Sequence, residues 1–229
     1  LNFRQEFQLR QQIKKQFEHY LDPRQVKRLQ KEPNLLKLGG ELRYCTFLFT
    51  DLRGFTSMSE KMTPEEVAEI MNTTLTVQVE EIQRSGGMVD KFIGDACMGI
   101  FSAPLELPEH ENRAVEAAVR IQDRIKKLNQ VMEPEIAIGV GLQSGWACVG
   151  NMGSSTRFDY TAIGNCVNEA ARYESSTKEV GVDIIIGYET AQNCKYLLKE
   201  LDPIRVKGKQ DKLRVFTWGS NLLSSPPVF

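Results

Sequence analysis

Two aspartates sit where the surrounding pattern favours strand-forming residues. Asp51 follows the run Tyr44-Cys-Thr-Phe-Leu-Phe-Thr50, and Asp95 lies in a Gly94-Asp95 step between the apolar runs Met88 to Ile93 and Ala96 to Phe101. Alone, either reads as an ordinary strand-end or turn residue, because Asp bonds readily to its own backbone there. If the first run pairs beside the second, the two carboxylates meet in one pocket and need a cation. Hard divalent ions fill that need with oxygen ligands, and Mg²⁺ typically takes one or two carboxylates, waters and substrate phosphates. Gly54, three residues past Asp51, offers exposed backbone N–H groups of the kind that receive a phosphate.

The elements that must position these residues follow from periodicity. Leu9, Ile13, Phe17 and Tyr20 mark a first helix over the opening twenty residues. Asp22 and Pro23 then cap and open a second. One apolar stripe on so short a helix buries too little to stand alone, so it pairs with a copy of itself or docks on the body. Asn34 to Glu41, with Gly39-Gly40, reads as a linker.

The β-branched and aromatic run from Tyr44 is a buried strand. Thr63-Pro64-Glu65-Glu66 is a capping box ahead of Val67, Ile70, Met71, Leu75, Val79 and Ile82 at helical spacing, with Gly86-Gly87 ending the helix. Gly94-Asp95 joins two strands in a Gly-X hairpin. A helix from about Glu111 to Asn129 precedes an alternating strand, Ile136 to Leu142, and Gly145 to Val149 turns into another. A helix spans roughly Asn165 to Ser176, then a strand Asp183 to Ile186, a short helix near Glu189 to Cys194, and a hairpin around Lys207-Gly208-Lys209. The order β-α-β-β-α-β with an appended αβαββ segment excludes a doubly wound parallel sheet. It predicts an α+β fold, a ferredoxin-like βαββαβ core whose mixed, mostly antiparallel sheet is flanked by helices.

Composition narrows the classes. A chain of 229 residues, 41% apolar and 26% charged, is globular and holds one large domain plus an appendage. We place an N-terminal helical linker or transducer at 1–40, the main domain at 41–219 and a disordered tail at 220–229. No run approaches the ~18 apolar residues that cross a bilayer. The start at Leu1 rather than Met leaves room for an upstream sensor or membrane region. Five scattered cysteines among apolar neighbours and only two histidines, His19 and His110, argue against a disulfide framework or a zinc centre and for a reducing, cytoplasmic setting. Residues 1–43 carry ten Lys/Arg against five Asp/Glu, while the rest carries 19 against 25. An acidic body excludes nucleic acid as a partner, and the basic N-terminal run reads as a solvated helix face.

The strings FTDLRGFT, DKFIGDACMGIF, VGLQSG, FDYTAIGNCVNEAAR and RVKGK, in this order, resemble the catalytic domain of the class III nucleotidyl cyclases from about Arg43 to Trp218. The resemblance implies that Asp51, Asp95 and the Leu52 carbonyl hold two Mg²⁺ or Mn²⁺ ions, and that Gly54, Phe55 and Thr56 cradle phosphate. It makes Asn168 and Arg172 the transition-state pair and Lys207 a triphosphate contact. Asn168 and Arg172 lie four apart on one helical face, and a guanidinium suits phosphate oxygens. Lys91 and Thr161 occupy the base-selecting positions. A Lys can donate to adenine N1 and a Thr hydroxyl can accept from the exocyclic amine, which predicts ATP rather than GTP, cyclic AMP as product, and the Thr-containing, soluble-cyclase-like subclass. Bicarbonate is the activator implied for that subclass. The family also implies a head-to-tail homodimer with shared clefts. Gly139 and Gln143 stand where the family often has Arg or His, so no phosphate contact is expected from that strand.

Overall fold

The computed structural model describes residues 3–32, 37–206 and 211–219; the start of the expected linker, the Lys207-Gly208-Lys209 hairpin tip and the 220–229 tail lie outside them. Helices α1 (Phe3–Phe17) and α2 (Pro23–Lys31) open the chain. The Asp22 carboxylate accepts from the Arg24 backbone N–H at 2.8 Å, capping α2 as expected. The Arg24 guanidinium donates to the carbonyls of Gly86 (2.7 Å) and Gly87 (2.8 Å) while paired with Asp22, so α2 docks on the body. By contrast, Leu9, Ile13, Phe17 and Tyr20 of the first stripe stay 41–86% exposed.

Strand β1 (Gly39–Leu52) is followed by the short helix α3 (Phe55–Ser59) and by α4 (Pro64–Arg84), whose reciprocal Thr63/Glu66 capping box is formed. Strands β2 (Met88–Ile93) and β3 (Ala96–Phe101) make the expected hairpin, and α5 (His110–Leu128) leads to β4 (Ile138–Gly153). The strand order β2-β3-β1-β4, antiparallel at each step, is that of a βαββαβ core. Strand β5 (Phe158–Ile163) folds back on β4; α6 (Asn165–Val180), β6 (Ile184–Gly187), α7 (Tyr188–Gln192), β7 (Leu198–Glu200) and β8 (Val215–Trp218) complete an eight-stranded sheet.

Three expectations need correction. Gly39-Gly40, assigned to the linker, begins β1 and pairs with Asn151 and Gly150 of β4. A Cβ on Gly150 would stand 2.2 Å from the Gly39 carbonyl oxygen, so these glycines permit a tight strand contact and not a loose tether. Gly145 does not turn the chain: β4 runs unbroken through it, and its missing Cβ makes room for Cys166. Strand β5 has no counterpart among the expected elements, because Phe158 to Ile163 mixes charge with apolar residues.

Residues Cys45 to Thr50 are all buried, because β1 is covered on both faces. Leu48 and Leu52 point to α4 and α5, joining Ile82, Phe101, Val115, Ile121 and Leu142. Phe47 and Phe49 point the other way, to Met98, Ile100, Ala162, Val167 and Ala170 under β5 and α6. This is period-two alternation with both faces apolar, each large side chain contributing about 1.5–3 kcal/mol of burial. The buried face of α4 carries polar groups as well: Gln78 accepts from the Thr50 hydroxyl, and Glu81 pairs with Arg120 at 3.0 Å and Arg124 at 2.9 Å.

Helix α6 lies almost on the backbone of β4. A Cβ on Gly141 would stand 2.2 Å from the Ala170 carbonyl oxygen, and one on Gly139 would stand 2.4 Å from the Thr177 hydroxyl. Gly141→Ala is therefore expected to lift α6 and to lower stability by about 2–3 kcal/mol, read as a fall in the urea midpoint. An unchanged midpoint would show that α6 has slack against the sheet.

Candidate active site

Asp51 ends β1 and Asp95 occupies the two-residue turn between β2 and β3, where Gly94 has φ +64°, as the first position of such a hairpin requires. Thr50 pairs with Cys97 across β1 and β3, so the register brings the end of β1 beside the hairpin tip. The two carboxylates stand within hydrogen-bonding reach. Burial foremost, and then the charge of Asp95, push Asp51 up to about 6. Glu174 on α6, which the sequence pattern does not single out, faces the same place: burial and then the charge of Asp51 push it up to about 7.

Arg53 does not neutralise this group by an ion pair, being bound to Asp183 at 3.1 Å and to the Val182 carbonyl at 2.6 Å. Among the described residues no cluster of three His, Cys, Asp or Glu side chains is arranged around a metal position. A cation here would rest on two carboxylates, with backbone, water and substrate oxygens completing its shell, the mode that suits Mg²⁺. The mutually repelling carboxylates of Asp51 and Asp95 fit that demand. Leu52, whose carbonyl was expected to join them, has its side chain buried in the core, which fixes its backbone.

Gly54 adopts φ +71° with nothing within 4 Å of a would-be Cβ, so backbone conformation and not crowding calls for glycine there. It leads into α3 with Phe55 half-buried and Thr56 exposed.

A second group forms around Asp90. The register passes from Val89–Gly99 to Lys91–Met98, leaving Asp90 as the extra residue of a β-bulge. The Thr161 hydroxyl, on β5, donates to Asp90 Oδ2. Burial raises Asp90 to about 6, against the favourable Thr161 bond and Lys91 charge. Thr161 is thus held against Asp90, the neighbour of Lys91, whose charge acts on the same carboxyl; Asp90 opens the DKFIGDACMGIF string but has no role assigned from it. Among the described residues, no hydrogen bond or ion pair links this locus to the Asp51–Asp95 group.

On α6, Asn168 is exposed and Arg172 half-exposed, and neither side chain has a hydrogen-bond or ion-pair partner among the described residues. Their one-turn spacing presents an amide and a guanidinium side by side. Gln143 is buried and donates to Glu169 at 2.9 Å. Lys207 lies outside the described residues.

Residues 40–219 match the family described as the adenylate and guanylate cyclase catalytic domain. An adenylate cyclase of Anabaena cylindrica is 34% identical over 76% of this chain and 36% of its own length. The chain thus spans about a third of that curated relative. Among solved structures, the adenylyl cyclase CyaB from P. aeruginosa superposes with a TM-score of 0.72 at 29% identity, covering 81% of this chain and 100% of that one. The guanylyl cyclase Cya2 superposes with a TM-score of 0.72 at 31% identity, covering 80% and 97%.

The electrostatics of the carboxylate group yield a measurable sign. A carboxyl whose folded pKa is about 6 against an ordinary 3.8 favours the folded state most below the ordinary value, and that advantage is lost as pH rises through 6. Asp95→Asn removes the like charge, so the Asp51 midpoint is expected to fall toward the ordinary range in carboxyl-carbon NMR titration of metal-free protein. The variant should also lose less stability between pH 5 and pH 8 than its parent. An unmoved Asp51 midpoint would mean that burial alone sets it.

Proposed function

We propose that this chain, which belongs to the adenylate and guanylate cyclase catalytic-domain family, is an adenylyl cyclase unit that turns ATP into 3′,5′-cyclic AMP and pyrophosphate. The observation that carries the substrate choice is Thr161 bonded to Asp90, the bulge residue immediately before Lys91. An ammonium donates to adenine N1, and a hydroxyl oxygen accepts from the exocyclic amine. Guanine presents an N–H where adenine has N1, and the Lys91 ammonium would then face another donor and be left unpaired. The fold neighbours include both adenylyl and guanylyl cyclases, so this edge chemistry, and not the fold, decides between ATP and GTP.

In the reaction, the ribose 3′-oxygen loses its proton and bonds to the α-phosphorus, while the bond from that phosphorus to the bridging oxygen breaks and pyrophosphate leaves. Asp51, Asp95 and the Leu52 carbonyl would hold two divalent ions, whose charge lowers the pKa of the 3′-hydroxyl and steadies the phosphates. The backbone of Gly54, Phe55 and Thr56 receives phosphate oxygens. Arg172 stabilises negative charge gathering on the α-phosphate, Asn168 orients the ribose, and Lys207 holds the triphosphate.

Thr161 lies against Gly150 of β4 and Asp51 against Gly139 of the same strand, and this spacing supports a head-to-tail homodimer, with each cleft taking its carboxylates from one protomer and its base edge from the other. The uncovered stripe of α1 gives such a dimer a further surface to pair.

Purified chain given ATP or GTP with Mn²⁺ is expected to form cyclic AMP, with kcat/KM at least about tenfold higher for ATP; predominant cyclic GMP would overturn the substrate reading. Asp95→Ala should lower turnover by about a thousandfold or more while the melting temperature holds, and parent-like rates would refute the metal role. Mixed Asp51→Ala and Arg172→Ala chains should regain activity through one intact hybrid cleft. A verified heterodimer without rescue would argue for clefts built within one protomer.

A further inference from the structure

We propose that Asp90 is a positioning residue for base selection: by taking the Thr161 hydroxyl hydrogen, it leaves Thr161 only lone pairs to offer the nucleobase. The inference rests on the ATP reading above and deepens it. A Thr hydroxyl has one hydrogen and two lone pairs, and left to rotate it can serve a donor or an acceptor equally. Such a group cannot by itself tell an adenine amine from a guanine carbonyl. Here the rotor is fixed. Thr161 is 9% exposed, and its hydroxyl donates to Asp90 Oδ2, an acceptor-only partner when ionised.

The backbone is shaped for this contact. Asp90 is the unpaired residue of the β2 bulge, and bulges re-aim side chains next to sites. Its other oxygen, Oδ1, is buried and lacks any hydrogen-bond partner among the described residues. A half-satisfied buried carboxylate is a costly arrangement for structure alone. A plain structural role would be met as well by an Asn, which could satisfy the same hydroxyl. Besides its charge, the carboxylate differs in that, when ionised, it cannot donate to Thr161, so the hydroxyl is an obligate acceptor toward the base.

The test compares parent, Asp90→Asn, Thr161→Ala and the double variant. The readouts are the ATP-to-GTP ratio of kcat/KM and the ratio of affinities for 3′-deoxy-ATP and 3′-deoxy-GTP, which bind without cyclising. In Asp90→Asn the amide can donate to Thr161 and turn its hydrogen toward the base. Both ratios should fall about tenfold or more, with the melting temperature near the parent's. In the Thr161→Ala background the same change should leave the ratios where they were, because the two residues act as one unit. Unmoved ratios in a folded Asp90→Asn, or an undiminished effect without the Thr161 hydroxyl, would overturn the proposal while leaving the ATP reading intact. A parent that prefers GTP in both readouts would defeat that reading and this one together. If the parent cyclises neither nucleotide, the affinity ratios alone support or overturn the proposal by the same criteria.

Discussion

Like charges drawn together have to be forced, and the force here is apolar. Asp51 and Asp95 repel, yet the antiparallel register of β1 on β3 keeps the end of β1 beside the hairpin tip. That register is fixed because β1 is buried on both faces, with Leu48 and Leu52 on one side and Phe47 and Phe49 on the other. A slip of one residue would exchange the two apolar sets and move Asp51 away from the hairpin tip. The free energy of two core layers therefore holds an electrostatic conflict in place, which the divalent cations we propose would resolve. Glu174 tightens the conflict from the opposite layer.

Elsewhere the chain satisfies its buried polar groups. Thr50 and Gln78 bond to each other, and Glu81 takes two arginines. The exceptions among the described residues are Gln25 Oε1, Tyr160 Oη, Arg53 Nε and Asp90 Oδ1, the last two each beside a group of site residues. Departures from otherwise consistent local chemistry tend to collect where binding or catalysis occurs. Their placement agrees with two separate loci on one protomer.

Much of this is legible in the residues. The βαββαβ order, the capping box before Pro64 and the limits of the β2–β3 hairpin follow from periodicity and turn chemistry. The meeting of Asp51 with Asp95 needs one thing more, that β1 pair beside that hairpin, which periodicity leaves open and the β1–β3 register supplies. What escapes such reasoning depends on contacts distant in sequence. Gly145 and the Gly39-Gly40 pair carry the same letter as a turn, but they serve close packing that only the folded partner shows. The Asp90 bulge leaves no mark in the string Val89-Asp90-Lys91, since an extra residue in one strand is defined by its partner strand. Glu174 sits two residues past Arg172 on a different face of α6, and its neighbours at Asp51 and Gly139 come from strands. Periodicity shows only the apolar stripe of α4, whereas Thr74, Gln78 and Glu81 share its buried side.

The grip of Arg24 has a mechanical corollary. Its guanidinium holds the carbonyls of Gly86 and Gly87, the two residues immediately before β2, and β2 leads through Asp90 and Lys91 to Asp95. Turning α2 about its axis must either break a pair of charge-assisted bonds or drag the root of that ribbon along. Torque applied to α2 is thereby geared to the strand that carries Lys91 and leads into the turn that holds Asp95, while Asp51 and Thr161 ride on other strands.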